Sequence, residues 1–386
     1  MNTRTKPATK RTSEERILVL QGGGALGAYQ AGVYEALAAA GEMPHWVAGI
    51  SIGAINAALI AGNPPERRGQ RLHEFWDTVT SASLPSPSIV PGIELRSAVN
   101  DASAMMGAVF GLPGFFVPRF PAAPFQVQGT PRVLSFYDTE PLRATLERLV
   151  DFDLLNGGSM RLSVGAVNVR TGNFAYFDTA DQRLDARHIM ASGALPPGFP
   201  PVEIAGEWYW DGGLVSNTPL QYVLDQPEAG RRLVFQVDLF VAEGPMPTNL
   251  MQVAEREKDI RFSSRTRLNT TNALARQKLA QAAHRLIAKL PSRLADDPDV
   301  QALSAASRQA AVTVVLLIYR RKHYETQSKD YEFSRLSMHE HWEAGRADMA
   351  HTLDHPNWRA RPPPQDGVHV LDLTRRPVHR PPKDRP

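Results

Sequence analysis

Along the first part of the chain the hydrophobic positions change period twice. Residues 17–21 (ILVLQ) form a short apolar run, the pattern of a strand buried on both faces, and it stops at a glycine cluster. Over 25–40 the positions Leu26, Tyr29, Val33 and Leu37 recur at three- and four-residue spacing, which predicts a helix. Residues 45–50 (HWVAGI) predict a second buried strand, and 52–59 (IGAINAAL) the start of a helix built from small residues. A β-α-β-α opening of this kind predicts a parallel sheet with helices on its faces.

Further along, 81–131 is rich in proline and poor in charge, and is read as an inserted loop or lid. Within it, 104–118 (AMMGAVFGLPGFFVP) is too short and too broken by Gly and Pro to span a bilayer. Alternation resumes at 162–169 (LSVGAVNV), turns at 170–173 (RTGN) and returns at 174–177, predicting a hairpin. Residues 185–193 read as helix and 208–210 as extended, while 233–240 (LVFQVDLF) and 311–319 (AVTVVLLIY) read as buried strands. The stretch between those two, 249–310, is polar and helix-favouring.

Composition narrows the picture in three respects. A chain of 386 residues can bury one large core or two modest ones. The absence of cysteine excludes disulfide scaffolds, thiolate metal sites and thiol nucleophiles. The net charge of +3 is uneven: residues 1–16 carry five basic and two acidic side chains and 359–386 seven and three, so the chain between them is net acidic. Basic tails suit contact with an anionic surface, or simple solubilisation, and argue against a nucleic-acid groove. The N-terminus (MNTRTKPATKR) runs into the charged SEER rather than an apolar core, so no secretory signal is expected and a cytoplasmic location is. The Pro/Arg-rich 359–386 is expected to be disordered, like the basic tail 1–14.

Candidate chemistry begins at GISIGAINAAL, residues 49–59, where Ser51 stands between Gly49 and Gly53. A nucleophile exposed on a sharp strand-to-helix turn needs small residues two positions to either side, and a plain tight turn fits the same residues. The earlier cluster, Gly22, Gly23, Gly24 and Gly27, scans as a dinucleotide-binding loop. Such a site wants a carboxylate at the end of the second strand, and this one ends in Ala48-Gly49-Ile50-Ser51. The alternative is that amides at the positive end of the following helix face a developing oxyanion. A serine nucleophile needs a base. No histidine follows a strand in an obvious catalytic loop, whereas Asp211 ends an aromatic extended stretch ahead of Gly212 and Gly213. That carboxylate can serve directly as base, and the same three residues suit a hairpin turn.

Taken together, Gly22 to Gly27 with GAYQAGVYEAL, then GISIGAIN, ASGALPPGFPPV and DGGLVSNTPL, resemble in order the blocks of the patatin-like phospholipase family over roughly residues 15–240. The resemblance implies an α/β, three-layer fold with a mostly parallel central sheet, helices on both faces and a helical C-terminal extension. It implies a catalytic domain over 15–245, with 81–131 as insert, and an extension over 246–358 with a strand near 311–319. It implies Ser51 as nucleophile, Asp211 as base, Gly22, Gly23, Gly24 and Gly27 around the oxyanion hole, Gly49 and Gly53 in the nucleophile turn, and Gly212 and Gly213 in the loop of the base. No metal or organic cofactor is called for. Leu26 stands where the family commonly has a cation. The expected substrate is a lipid ester, with the insert and 208–210 covering an acyl groove, and with peripheral contact to anionic membrane. The rival readings are a hydrolase of a non-lipid ester, thioester or storage polyester, and an inactive lipid-binding member. Oligomeric state is left open.

Overall fold

The computed structural model describes residues 14–82, 93–126, 129, 131–226, 230–307, 311–361 and 368–374. Residues 1–13 of the expected basic tail, 362–367 and 375–386 of the C-terminal tail, and 83–92, 127–128 and 130 of the insert lie outside the described residues. The strands are β1 (Glu15–Leu20), β2 (Trp46–Gly49), β3 (Val117–Pro118), β4 (Tyr137–Asp138), β5 (Arg161–Asn168), β6 (Phe174–Asp178), β7 (Val202–Ile204), β8 (Glu207–Asp211), β9 (Arg231–Asp238), β10 (Ala311–Ile318) and β11 (Val368–Asp372). The helices are α1 (Gly27–Ala39), α2 (Ile52–Ala61), α3 (Pro65–Val79), α4 (Ile93–Phe110), α5 (Glu140–Leu149), α6 (Phe152–Gly157), α7 (Ala186–Ser192), α8 (Leu220–Asp225), α9 (Leu250–Ile287), α10 (Pro298–Ser307), α11 (Arg335–Asp354) and α12 (Pro356–Arg359).

One sheet carries the fold, in the order β11-β10-β9-β1-β2-β5-β8-β7 with β6 also on β5. From β11 to β5 it is parallel; β6 and β8 run antiparallel to β5, and β7 to β8. The unbroken apolar run of β1 follows from burial on both faces. Leu18 and Leu20 pack into the core shared by α1 and α2, and Ile17 and Val19 into the opposite core, which α8 covers. Helices therefore lie on both faces of the sheet. The chain leaves β1 towards β2 on one side and returns as β9 on the other, so the strand order reverses at β1. In open parallel sheets the crevice beyond the strand ends at such a point is where ligands bind.

Two expectations need correction. Part of the insert is an 18-residue helix, α4, which accommodates Gly107 and ends at Phe110, just ahead of Gly111 and Pro113. Its partners are distant in sequence: Arg96 donates to Ser337 Oγ (3.1 Å) and Glu340 (3.0 Å), and Ser97 to the Tyr324 carbonyl (2.8 Å). Within the tail read as disordered, Val368–Asp372 forms β11, because its backbone completes the exposed edge of β10 in parallel register. The extension 246–358 joins the sheet and core of the first 245 residues. Its strand β10 pairs with β9 along the whole length of both, and α11 packs on α1 so closely that a Cβ at Gly32 or Gly345 would strike the facing backbone.

Candidate active site

β1 and β2 end in register, Leu20 opposite Gly49, so the glycine loop and Ser51 emerge side by side. Ser51 has φ 56° and ψ −124°, a strained conformation for a non-glycine residue, of the kind that costs about 1–3 kcal/mol and persists only where surrounding contacts impose it. Those contacts are present. The Ser51 amide donates to Ser192 Oγ (3.0 Å), whose hydroxyl donates to the Gly165 carbonyl (2.7 Å). The Ser51 carbonyl accepts from Ala54 (2.9 Å) and Ile55 (3.2 Å) in α2. A side chain at Gly49 would collide with the carbonyl of Gly53, and one at Gly53 with that of Leu20. The G-x-S-x-G spacing is thus a matter of backbone touching backbone.

In the glycine loop each amide can be followed. Gly22 donates to the Asn217 carbonyl (3.1 Å), Ala25 to the Asp330 carbonyl (2.8 Å), Leu26 to Gly23 (3.2 Å), and Gly27 to Gly24. Among the described residues the amides of Gly23 and Gly24 have no acceptor, and both residues line a cavity together with Ser51. Unpaired amides at the start of a helix are an anion site. Gly22 and Gly27 are therefore corrected: their amides are engaged, and their smallness serves packing, against Asn217 and Ile52 respectively. Gln21 braces the loop, its side-chain oxygen accepting from Leu239 (2.6 Å) and Phe240 (3.1 Å) at the end of β9.

Asp211 closes β8 and is 2 % exposed. Its carboxylate accepts from the Gly213 amide (2.7 Å), and the Ser51 side chain lines the same cavity beside it. Burial pushes its pKa up to about 6, and the neighbouring Ser51 side chain and the Gly213 amide oppose a further rise. Gly212–Leu214 is a turn of 3-10 helix rather than a hairpin, with Gly212 close against the Gly165 carbonyl and Ile50. Among the described residues no histidine lines the cavity.

The cavity measures about 390 Å³ and is walled mainly by Leu112, Phe115, Phe116, Phe199, Phe240 and Phe333. Ala104, Gly107 and Ala108 of α4 face it, so the insert supplies part of the cavity wall. Trp208, Tyr209 and Trp210 are not among its lining residues; they lie on β8, with Tyr209 edge-on to Phe177. Sequence reasoning passed over four groups here. Ser192 and Asn217 lie within ASGALPPGFPPV and DGGLVSNTPL, where a polar residue in a glycine-rich block was the available signal. Gln21 follows β1 directly. Asp330, which touches the glycine loop from some 300 residues away, gave no local signal.

A family profile described as patatin-like phospholipase matches residues 18–224. Another, described as patatin phospholipase, matches residues 260–365. Among solved structures, VipD from Legionella pneumophila is 14 % identical, with 86 % of this chain and 67 % of that one covered and a TM-score of 0.34. The complex of SpcU with ExoU from the type III secretion system of Pseudomonas aeruginosa gives 16 %, 76 %, 67 % and 0.31. No curated protein matches the chain in sequence.

Proposed function

This chain belongs to the patatin-like phospholipase family, whose members hydrolyse lipids, and we propose that it is a serine acyl hydrolase that cleaves lipid carboxylic esters with Ser51 and Asp211. One observation carries the reading: Ser51 and the buried Asp211 carboxylate meet at one apolar cavity, close enough for the serine side chain to lower the carboxyl pKa, beside two amides that have no acceptor among the described residues.

In the first half-reaction Asp211 takes the Ser51 proton as Oγ attacks the ester carbonyl carbon, and the carbonyl oxygen becomes an oxyanion held by the Gly23 and Gly24 amides. Collapse breaks the ester C–O bond, and the alcohol leaves with the proton from Asp211. In the second, Asp211 takes a proton from water, the resulting hydroxide attacks the acyl-enzyme, and the fatty acid departs as the proton returns to Ser51. With Leu26 fully buried, the oxyanion relies on the amides and on the positive end of α1. The aromatic cavity takes the acyl chain, which favours a lipid ester over the small esters, thioesters and polyesters that the motifs alone allow.

The outer surface of the same wall supports contact with lipid. Met105, Val109 and Phe110 of α4 are exposed, as are Phe120, Phe125 and Phe136. They are drawn together by pairing of β3 with β4 and by the hydrogen bond from Tyr137 to the Ala108 carbonyl (2.7 Å). The single charge in 102–125, Arg119, turns onto Ser135 (3.0 Å) and Asp138 (3.0 Å). An apolar rim of this kind suits insertion into a lipid interface. Among the described residues no helix is long and apolar enough to cross a membrane.

A fluorophosphonate probe tests the chemistry. Wild type is expected to label; Ser51→Ala is expected not to label, and Asp211→Asn to lose roughly a hundred- to ten-thousand-fold in turnover, the usual worth of a general base. Wild type that does not label would favour the inactive, lipid-binding reading, and labelling that survives Ser51→Ala would remove Ser51 as the nucleophile.

A further inference from the structure

The glycine loop cannot set its own geometry. Three successive glycines have soft dihedral angles, and Gly24 sits at φ 53°, where no side chain restrains it. The tie comes from the C-terminal part of the chain. The Asp330 carbonyl accepts from the Ala25 amide (2.8 Å) and lies where a Cβ on Gly24 would be. Fixing the Gly24–Ala25 peptide limits the rotation of Gly24, and with it the direction in which the adjoining amides point.

Asp330 is itself held. The Lys258 ammonium, on α9, donates to Asp330 Oδ1 (2.7 Å) and to the Gln327 carbonyl (2.8 Å), closing the short turn that carries Asp330. Next to it, Lys329 is buried against Asp259 (2.7 Å) and Glu255 (3.5 Å), and Arg321 pairs with Glu255 (2.7 Å). One face of α9 thus grips the segment 321–330 through charge pairs, and that segment grips the oxyanion loop through one backbone hydrogen bond.

We infer that the C-terminal segment sets the geometry of the oxyanion donors, with Lys258 as a positioning residue acting through Asp330. The inference rests on the reading of Gly23 and Gly24 as those donors. The Lys258–Asp330 pair is largely enclosed, at 23 % and 22 % side-chain exposure, so activity is read per titrated active site to separate any loss of stability from a loss of rate. The pair's effect is felt at the amides.

The test measures kcat and KM on a soluble short-chain ester, per active site titrated with a fluorophosphonate. Lys258→Met is expected to lower kcat by about tenfold, less than the hundredfold or more for losing an oxyanion donor outright, with KM changed by less than about twofold. Asp330→Asn, which keeps the carbonyl and removes the ion pair, should match it, and the double variant should be no worse than either. Lys258→Arg should recover most of the rate. Arg261→Met, which breaks the exposed Arg261–Glu257 pair on the same helix, should change nothing. Wild-type kcat in both Lys258→Met and Asp330→Asn, or a loss that Lys258→Arg does not recover, overturns the inference while leaving the Ser51 chemistry intact. Labelling that persists in Ser51→Ala removes both.

Discussion

At the scale of single residues the chemistry turns on Asp211. To act as a base it must be ionised, so kcat/KM is expected to fall with decreasing pH through about 6, the value to which burial raises it. Stability moves the other way. A carboxyl whose pKa is higher in the folded than in the unfolded protein contributes stability that is fully present below the unfolded value, 3.8, and is lost as pH rises through about 6. At pH 8 the ionised, buried Asp211 therefore costs about 3 kcal/mol. Asp211→Asn should be inactive yet more stable than wild type at pH 8, with the difference closing towards pH 4. Denaturant titrations at the two pH values check this, and an Asn variant less stable at both would refute it. Asp238, also buried and raised to about 7, acts in the same direction in both proteins, so the comparison must be between variants and not across pH alone.

Among the elements, the two strand-to-helix turns show how glycines of one motif divide the work. Gly24→Ala meets both a positive φ and the Asp330 carbonyl, so the loop must move; kcat per titrated site should drop by about a hundredfold or more as the donors are displaced. Gly27→Ala instead presses on Ile52 (2.5 Å) and Trp76 (3.1 Å). It should cost about 1–3 kcal/mol from overpacking between α1 and α2, with kcat per site near that of wild type. Steady-state kinetics beside thermal melts separate the two; equal kinetic losses would mean that the loop is only a packing feature. β1, β2, β9 and β10 were legible because each is a largely apolar run bounded by Gly or polar residues, and β5 because its alternation leads into a hairpin turn. α4 was not, since its stabilising contacts, such as Arg96 to Glu340, join segments far apart in sequence.

For the molecule as a whole, the wall formed by the insert has two faces with separate consequences. Phe115 and Phe116 line the cavity, so changing them should harm turnover of every substrate form. Phe120 and Phe125, 94 % and 82 % exposed, face outward. Replacing both with Ser should lower vesicle binding and activity on vesicles while sparing soluble esters. Because the rim holds no outward charge in its described part, that share of binding should persist at high salt, unlike any contribution of the basic tails. Sedimentation with neutral and anionic vesicles at low and high salt checks it; equal activity losses on soluble and vesicular substrate would show the rim to be part of the cavity wall.

The order of blocks along the chain was enough to determine the family, the mostly parallel α/β architecture, and the candidacy of Ser51, Asp211 and the glycine loop. Each of these leaves a local mark, because a strained turn or a close approach of backbone admits few residue types. Which of the four loop glycines keep a free amide was decided by tertiary structure, since Gly22 is engaged by the Asn217 carbonyl from a distant segment and Gly27 by Gly24 in the folded turn. So was the raised pKa of Asp211, which comes from the depth of its burial. The joining of β10 and β11 to the central sheet belongs here too: hydrogen bonding between strands depends on register in space, and pairs such as Val312 with Val368 carry no mark in the sequence of either strand alone.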